Sequence, residues 1–69
     1  MNKTTALRFE VWASDTGEST KWKLLRGGVW ESEKPAIDMA ENMRRFNQKV
    51  CVEKWDAGRN VYLETVWEA

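Results

Sequence analysis

The sequence predicts an α+β fold, in which one helix packs on one face of a four-stranded antiparallel sheet. Three observations favour this fold. Four short segments have strand-like patterns, a helical pattern lies between the second and third of them, and Asp-x-Gly sequences follow the first and the third. The order is therefore hairpin, helix, hairpin (ββαββ). Without a linker or low-complexity segment, residues 1–69 are expected to form a single domain.

The first hairpin is predicted from alternation between Thr5 and Ala13, which is typical of a half-buried strand. One side of this strand carries Leu7, Phe9, Val11 and Ala13, and the other carries Arg8, Glu10 and Trp12. The segment from Thr20 to Leu25 is predicted as its partner after a turn around Asp15 and Gly17. A four-residue loop would place Val11 opposite Trp22, Phe9 opposite Leu24, Glu10 opposite Lys23 and Trp12 opposite Lys21.

The helix is predicted to begin after Ser32, a favourable N-cap residue, and to run from Glu33 to about Asn47. Its apolar stripe is Ala36, Met39, Ala40, Met43 and Phe46, with Ile37 at the edge. The preceding Gly27-Gly28 pair indicates a turn or a bulge. Trp30 is expected to fold over the helix start.

The second hairpin is predicted to pair Val50 to Trp55 with Asn60 to Trp67 across Asp56-Ala57-Gly58-Arg59. An even loop would place Val52 opposite Leu63, Val50 opposite Thr65 and Glu53 opposite Tyr62. The core is then expected to comprise the helix stripe and these strand residues: Leu7, Phe9, Val11, Trp22, Leu24, Val50, Val52 and Leu63. The opposite face has no second layer and would carry Arg8, Glu10, Trp12, Lys21, Lys23, Glu53, Trp55, Tyr62 and Glu64.

Composition narrows the classes of function. Eleven Lys and Arg residues balance eleven Asp and Glu residues, which disfavours a nucleic-acid binder and removes a barrier to self-association. A domain of this size buries only about 60% of its unfolded surface and often gains stability by pairing, so a homodimer is favoured. The single cysteine, Cys51, indicates an intracellular, cytoplasmic protein. Neither a signal peptide in Met1 to Thr5 nor a membrane span is predicted.

The sequence contains few of the residues that catalytic sites commonly use. The sequence has no histidine, which removes the commonest general base and metal ligand and every Ser-His or Cys-His pair. Cys51 is interpreted as a half-buried strand residue. Glu31, Glu33, Glu64 and Glu68 are interpreted as solvated charges, and Gly27-Gly28 is too short for a phosphate loop. We therefore expect a protein that is not an enzyme, with no cofactor and no metal site.

Binding is the remaining class, because five tryptophans cannot all be buried in so small a core. The residues predicted to contact a partner are Trp12, Lys21, Lys23, Trp55, Tyr62 and Trp67. The first hypothesis is a protein-binding module that uses aromatic rings among mixed charges. The alternative is a nucleic-acid-binding accessory factor, in which Lys21 and Lys23 hold phosphates while bases stack on the tryptophans. The rings could instead cover only their own neighbours, and Val66 and Trp67 could extend the sheet across two chains.

The whole chain also resembles the small proteins encoded by phages and mobile elements. The resemblance lies in its size, its composition and its order of elements: the strand Leu7-Arg8-Phe9-Glu10-Val11-Trp12, an Asp-x-Gly turn, Trp30-x-Ser32 before an Ala36–Ala40 helix, and a closing hairpin. Some such proteins, the anti-CRISPR proteins among them, cap the working surface of a bacterial defence protein. The resemblance implies an inhibitor of a host or defence protein and transfers no functional residue.

Overall fold

The computed structural model describes residues 6–16 and 21–69. They form strands β1 (Leu7–Ser14) and β2 (Lys23–Trp30), helix α1 (Glu33–Met43), and strands β3 (Lys49–Asp56) and β4 (Val61–Glu68). The strands make one antiparallel sheet in the order β2-β1-β3-β4, which confirms the predicted fold class. The predictions for Met1 to Thr5, and for residues 17–20 of the first hairpin, lie outside the described residues.

The centre of the sheet is the regular pair of β1 and β3. Their register is unbroken from Leu7 opposite Asp56 to Ser14 opposite Lys49. Val11, Val50 and Val52 share one face of this pair, where they are fully buried beneath α1. The alternation seen in the sequence of β1 therefore does separate a core side from a second side, as predicted.

Helix α1 packs on this face through Ala36 and Ala40, both fully buried. Small side chains allow the helix to lie close to the sheet, and Ile37, Met39 and Met43 fill the flanks. Trp30 lies on the same side, opposite Phe9, and its Nε1 donates to Met39 Sδ at 3.4 Å.

The helix ends at Met43, before the predicted end at Asn47. Residues 44–46 form a turn, and the Asn47 side-chain amide donates to the Met43 carbonyl at 3.0 Å. That bond pairs one of the carbonyls that a helix end leaves unsatisfied. Phe46 consequently leaves the apolar stripe and is 71% exposed, so its assignment to the core was wrong.

The predicted register of the first hairpin was also wrong. Trp12 lies opposite Leu24 and Ala13 opposite Lys23, whereas Glu10 lies opposite Val29 and Phe9 opposite Trp30. Between these pairs β2 holds four residues against Val11 alone, in a large bulge. Three extra residues reverse the alternation along β2. Leu24 and Trp30, which would share a face in a regular strand, therefore lie on opposite faces of the sheet.

The Gly27-Gly28 pair forms this bulge inside β2, which extends well beyond the predicted end at Leu25. Gly27 has φ +72°, a conformation that favours glycine. A Cβ on Gly28 would lie 2.9 Å from the Leu25 carbonyl oxygen and 3.1 Å from that of Val11. Both glycines are thus required by the local backbone.

Strand β4 pairs with β3 less regularly than predicted. Trp55 lies opposite Tyr62, Glu53 opposite Thr65, and Val52 opposite Trp67. Register shifts separate these pairs and leave Leu63 and Val66 in the irregular positions. Leu63 is 47% exposed and does not belong to the core, contrary to the prediction.

Candidate functional site

The side of the sheet opposite α1, here called the open face, has no second layer within the described residues. Trp12, Glu53 and Trp55 lie on it by their register in the central strands, and Tyr62 joins them through its pairing with Trp55. The three predicted aromatic rings Trp12, Trp55 and Tyr62 are therefore on one surface, as the alternation indicates.

A cluster of ring contacts occupies one end of the open face. The rings of Trp55 and Tyr62 meet edge to face, with centroids 5.9 Å apart and planes at 76°. The guanidinium carbon of Arg8 lies 5.0 Å from the centroid of the Trp55 ring, within cation–π range. The Tyr62 hydroxyl shares a 2.7 Å hydrogen bond with Thr65 Oγ1. Each of these rings is held by a specific neighbour.

Carboxylates fix the orientation of two indoles. Trp12 Nε1 donates to Glu10 Oε1 at 2.9 Å, and Trp55 Nε1 donates to Glu53 Oε1 at 3.0 Å. In both cases the acceptor lies two residues earlier on the same strand, so both side chains point to the same face. Arg8 Nε in turn donates to Glu10 Oε2 at 2.7 Å, and this network buries Glu10 to 7% exposure. Contacts within the chain thus orient both indoles in the absence of a bound protein.

A groove of about 510 Å³ runs along the middle of the open face. We call it the tryptophan groove, and its lining residues are Trp12, Trp22, Cys51, Glu53, Trp55, Thr65 and Glu68. Its volume falls within the range of small-ligand sites. Three of the five tryptophans therefore converge on one concave surface.

Two further lining residues were not predicted to contact a partner. Trp22 was predicted in the core, which was wrong, whereas Glu68 was predicted as a solvated charge and is exposed. Both residues reach the groove because β2 and β4 pair with the central strands in registers that differ from the predicted ones. Leu24 lies opposite Trp12, and Glu68 lies opposite Cys51. Leu24 is 40% exposed on the open face rather than buried in the core.

Cys51 forms part of the floor of the groove. Burial, together with the nearby carboxylates of Glu53 and Glu68, raises the pKa of its thiol from 9.0 to about 11, and burial is the largest of these causes. The thiol therefore stays protonated at neutral pH. A protonated, buried thiol is a poor nucleophile, which agrees with the interpretation of Cys51 as a structural residue.

The other predicted contact residues lie elsewhere. Lys23 lies opposite Ala13 and so takes the side of the sheet that α1 covers, because the register differs from the predicted one. Lys21 precedes β2 and is exposed. Trp67 lies opposite Val52 and packs against the core, so it is half-buried on the helix side. The structure does not join these three residues to the rings of the open face.

Two other kinds of site are a metal centre and a membrane-spanning segment. Within residues 6–16 and 21–69, acidic and cysteine side chains do not come together in a group that could hold a metal ion. In the same ranges, no helix has the length and apolar character needed to span a membrane. Comparisons with family models, with curated proteins and with solved structures find no match to this chain.

Proposed function

We propose that this chain is a non-enzymatic protein-binding module that docks on its partner through the open face. The observation that carries the proposal is the tryptophan groove, in which Trp12, Trp22 and Trp55 line one concave surface. Tryptophan and tyrosine are enriched among the residues that dominate binding energy at protein interfaces. An uncovered sheet face with this composition has the character of a contact surface.

The fixed orientation of the rings supports this proposal. Binding costs free energy when mobile side chains become ordered at an interface. The hydrogen bonds from Trp12 to Glu10 and from Trp55 to Glu53 order both indoles before a partner arrives. The open face can therefore use its aromatic area at a low entropic cost.

Nucleic-acid binding, the alternative function, is less well supported. It needs Lys21 and Lys23 beside the rings, but Lys23 takes the helix side and Lys21 precedes β2. The side chains that do line the groove with the tryptophans include the carboxylates of Glu53 and Glu68. Carboxylates repel phosphate, so this surface favours a protein partner.

The resemblance to small phage proteins narrows the proposal further. We propose that docking caps a working surface of a host or defence protein in the cytoplasm of a bacterial cell. A chain of 69 residues with one exposed aromatic face suits this role, because a cap needs a single contact surface. Self-association through the same face is the second form of the proposal, and zero net charge favours it.

Site-specific photo-crosslinking in living bacterial cells tests the proposal. A photoreactive phenylalanine analogue replaces Tyr62, which is 45% exposed on the open face. The matched control places the same analogue at Phe46, an exposed aromatic residue after α1. We expect an adduct from position 62 and none from position 46.

The mass of the adduct identifies the kind of partner. A mass of twice the chain indicates self-association, and any other mass indicates a different protein. Absence of an adduct at position 62, or equal adducts at both positions, contradicts docking through the open face. Light scattering of the purified protein beside Tyr62→Ala and Phe46→Ala variants then shows whether the face alone sets the oligomeric state.

A further inference from the structure

The tryptophan groove carries negative charge that the described residues do not neutralise. Elsewhere on the sheet, carboxylates are paired with cations: Glu10 with Arg8 at 2.7 Å, Asp56 with Arg59 at 3.8 Å, and Glu64 with Lys54 at 3.8 Å. Glu53 and Glu68 line the groove and have no ion pair with any residue in the described ranges. The groove is thus both aromatic and acidic.

The negative charge affects the pKa of the Cys51 thiol at the floor of the groove. Coulombic repulsion from Glu53 and Glu68 adds to burial in raising the pKa of Cys51. Both carboxylates line the groove together with this thiol, so their charge acts within the groove. Arg8, a cation on the same face, is engaged with Glu10 and with Asn60 Oδ1, which lies 2.8 Å from its Nη2.

The aromatic walls are suited to the opposite charge. The face of an indole attracts a guanidinium or ammonium group, more strongly than any other aromatic side chain does. This molecule already contains one such contact, because Arg8 lies over the ring of Trp55. A second cation placed among Trp12, Trp22 and Trp55 would meet the same attraction and two carboxylates.

We propose that the tryptophan groove binds a basic side chain presented by the protein partner. The inference rests on the proposed function and specifies the chemistry of the partner at the centre of the contact. The tryptophan faces stack against the cation, and Glu53 and Glu68 supply the compensating charge. The open face therefore selects a basic protein surface and rejects phosphate-rich ones.

Titration with a pair of short peptides, followed by NMR, tests the inference. The first peptide is acetyl-Gly-Ser-Arg-Ser-Gly-amide, and the second carries citrulline, a neutral isostere, in place of arginine. Each of the five tryptophans gives one indole N–H signal, and Trp30 and Trp67 on the helix side are internal controls. We expect the arginine peptide to shift the signals of Trp12, Trp22 and Trp55 only, and the citrulline peptide to shift none.

Two charge variants on the same strand provide the matched control. Glu68→Gln removes a charge from the groove, whereas Glu64→Gln removes one that faces Lys54 outside it. We expect Glu68→Gln to weaken binding of the arginine peptide about threefold, the size typical of an exposed ion pair, and Glu64→Gln to leave it unchanged. Glu53→Gln keeps an oxygen acceptor for Trp55 and should weaken binding at least as much as Glu68→Gln.

Several outcomes overturn the inference. Equal shifts with both peptides show that charge is not recognised. Equal losses of peptide binding in Glu68→Gln and Glu64→Gln show that the carboxylates act through the overall charge of the protein and not at the groove. Equally large shifts with tetramethylammonium chloride indicate a small cationic ligand rather than a protein side chain. Shifts of the three groove signals on dilution of the free protein indicate that a second copy occupies the groove. A crosslink at position 62 with no response to the arginine peptide contradicts this inference and leaves the proposed function intact.

Discussion

The two faces of the sheet share the same strands but are ordered by different interactions. On the helix side, Val11, Val52 and Ala40 are fully buried by packing between the sheet and α1. On the open face, the indoles of Trp12 and Trp55 are ordered by hydrogen bonds to carboxylates two residues earlier on their own strands. One face is ordered by a second layer, and the other is ordered within its strands.

This difference matters for binding. Apolar packing requires that another element exclude water, so a surface ordered in that way is no longer accessible. Hydrogen bonds between side chains along one strand leave the ring faces uncovered. The open face can therefore be rigid and accessible together, which is the combination that favours a contact surface.

The largest expected effect is the loss of a buried methyl pair on the helix side. Val52→Ala should lower the free energy of unfolding by about 2.5 kcal/mol, through lost transfer free energy and a cavity. Val29→Ala makes the same chemical change at a residue 52% exposed on the open face, and should cost no more than about 0.5 kcal/mol. Urea unfolding of both variants measures the difference, and similar losses would show that the open face is buried in solution.

A smaller loss is expected where the bulge of β2 sets which residues reach each face. Gly28→Ala should cost about 2 kcal/mol, because the added Cβ meets backbone oxygens of Leu25 and Val11. Gly58→Ala is the control, since its Cβ would find its nearest atom, Asp56 Oδ1, at 3.5 Å. Thermal unfolding of the two variants compares them. An unchanged melting temperature for Gly28→Ala would contradict the close approach of β2 to Val11.

The next effect concerns the network of the open face. Glu10→Ala should lower the free energy of unfolding by about 1.5 kcal/mol, because the Trp12 and Arg8 donors lose their acceptor. Glu64→Ala removes an exposed carboxylate from a 3.8 Å ion pair and should cost below about 0.5 kcal/mol. Denaturant midpoints give both values, and the near-ultraviolet circular dichroism of Glu10→Ala should report the loss of indole order. Equal costs would show that the network adds nothing to stability.

The last expected effect, which is absent at neutral pH and develops only in alkaline solution, is a pH dependence from Cys51. Its pKa is about 11 in the folded chain against 9.0 in an unfolded one, so the folded state keeps its proton over that interval. The contribution to stability is complete below about pH 9 and is lost as the pH rises toward 11. Urea midpoints across this range should fall more steeply for the wild type than for Cys51→Ala. Parallel curves would contradict a buried thiol beside Glu53 and Glu68.

The central part of the fold was predictable from local patterns. The alternation of β1, the Ser32-Glu33 helix start and the valines of β3 each follow from neighbouring residues in the sequence. The same alternation correctly placed Trp12 and Trp55 on the open face. Tyr62 was predicted opposite Glu53 and lies opposite Trp55, but both partners are on the open face, so its predicted face was still correct. These residues lie in the regular central pair or next to its hairpin turn.

The outer strands were less predictable, because their pairing depends on bulges. Period-two reasoning carries a face assignment along a strand only while the ladder is regular. At the turn end of β2 the pairing differs from the predicted one by three residues, an odd number, which moved Trp22 and Leu24 out of the predicted core and Lys23 to the helix side. The three extra residues of the bulge then return Trp30 to the helix side. The glycine pair was a visible signal of irregularity, but its sequence does not tell how many residues the bulge adds.

Irregularity in the outer strands also bears on how the edges of the sheet could pair with other chains. The two edges of the sheet are β2 and β4, and both carry bulges, whereas the inner pair does not. A flat, regular edge invites further strands to add without limit, and a bulged edge twists away from that pairing. Under the proposed function, the bulged edges would disfavour pairing from edge to edge and leave the open face as the surface of association.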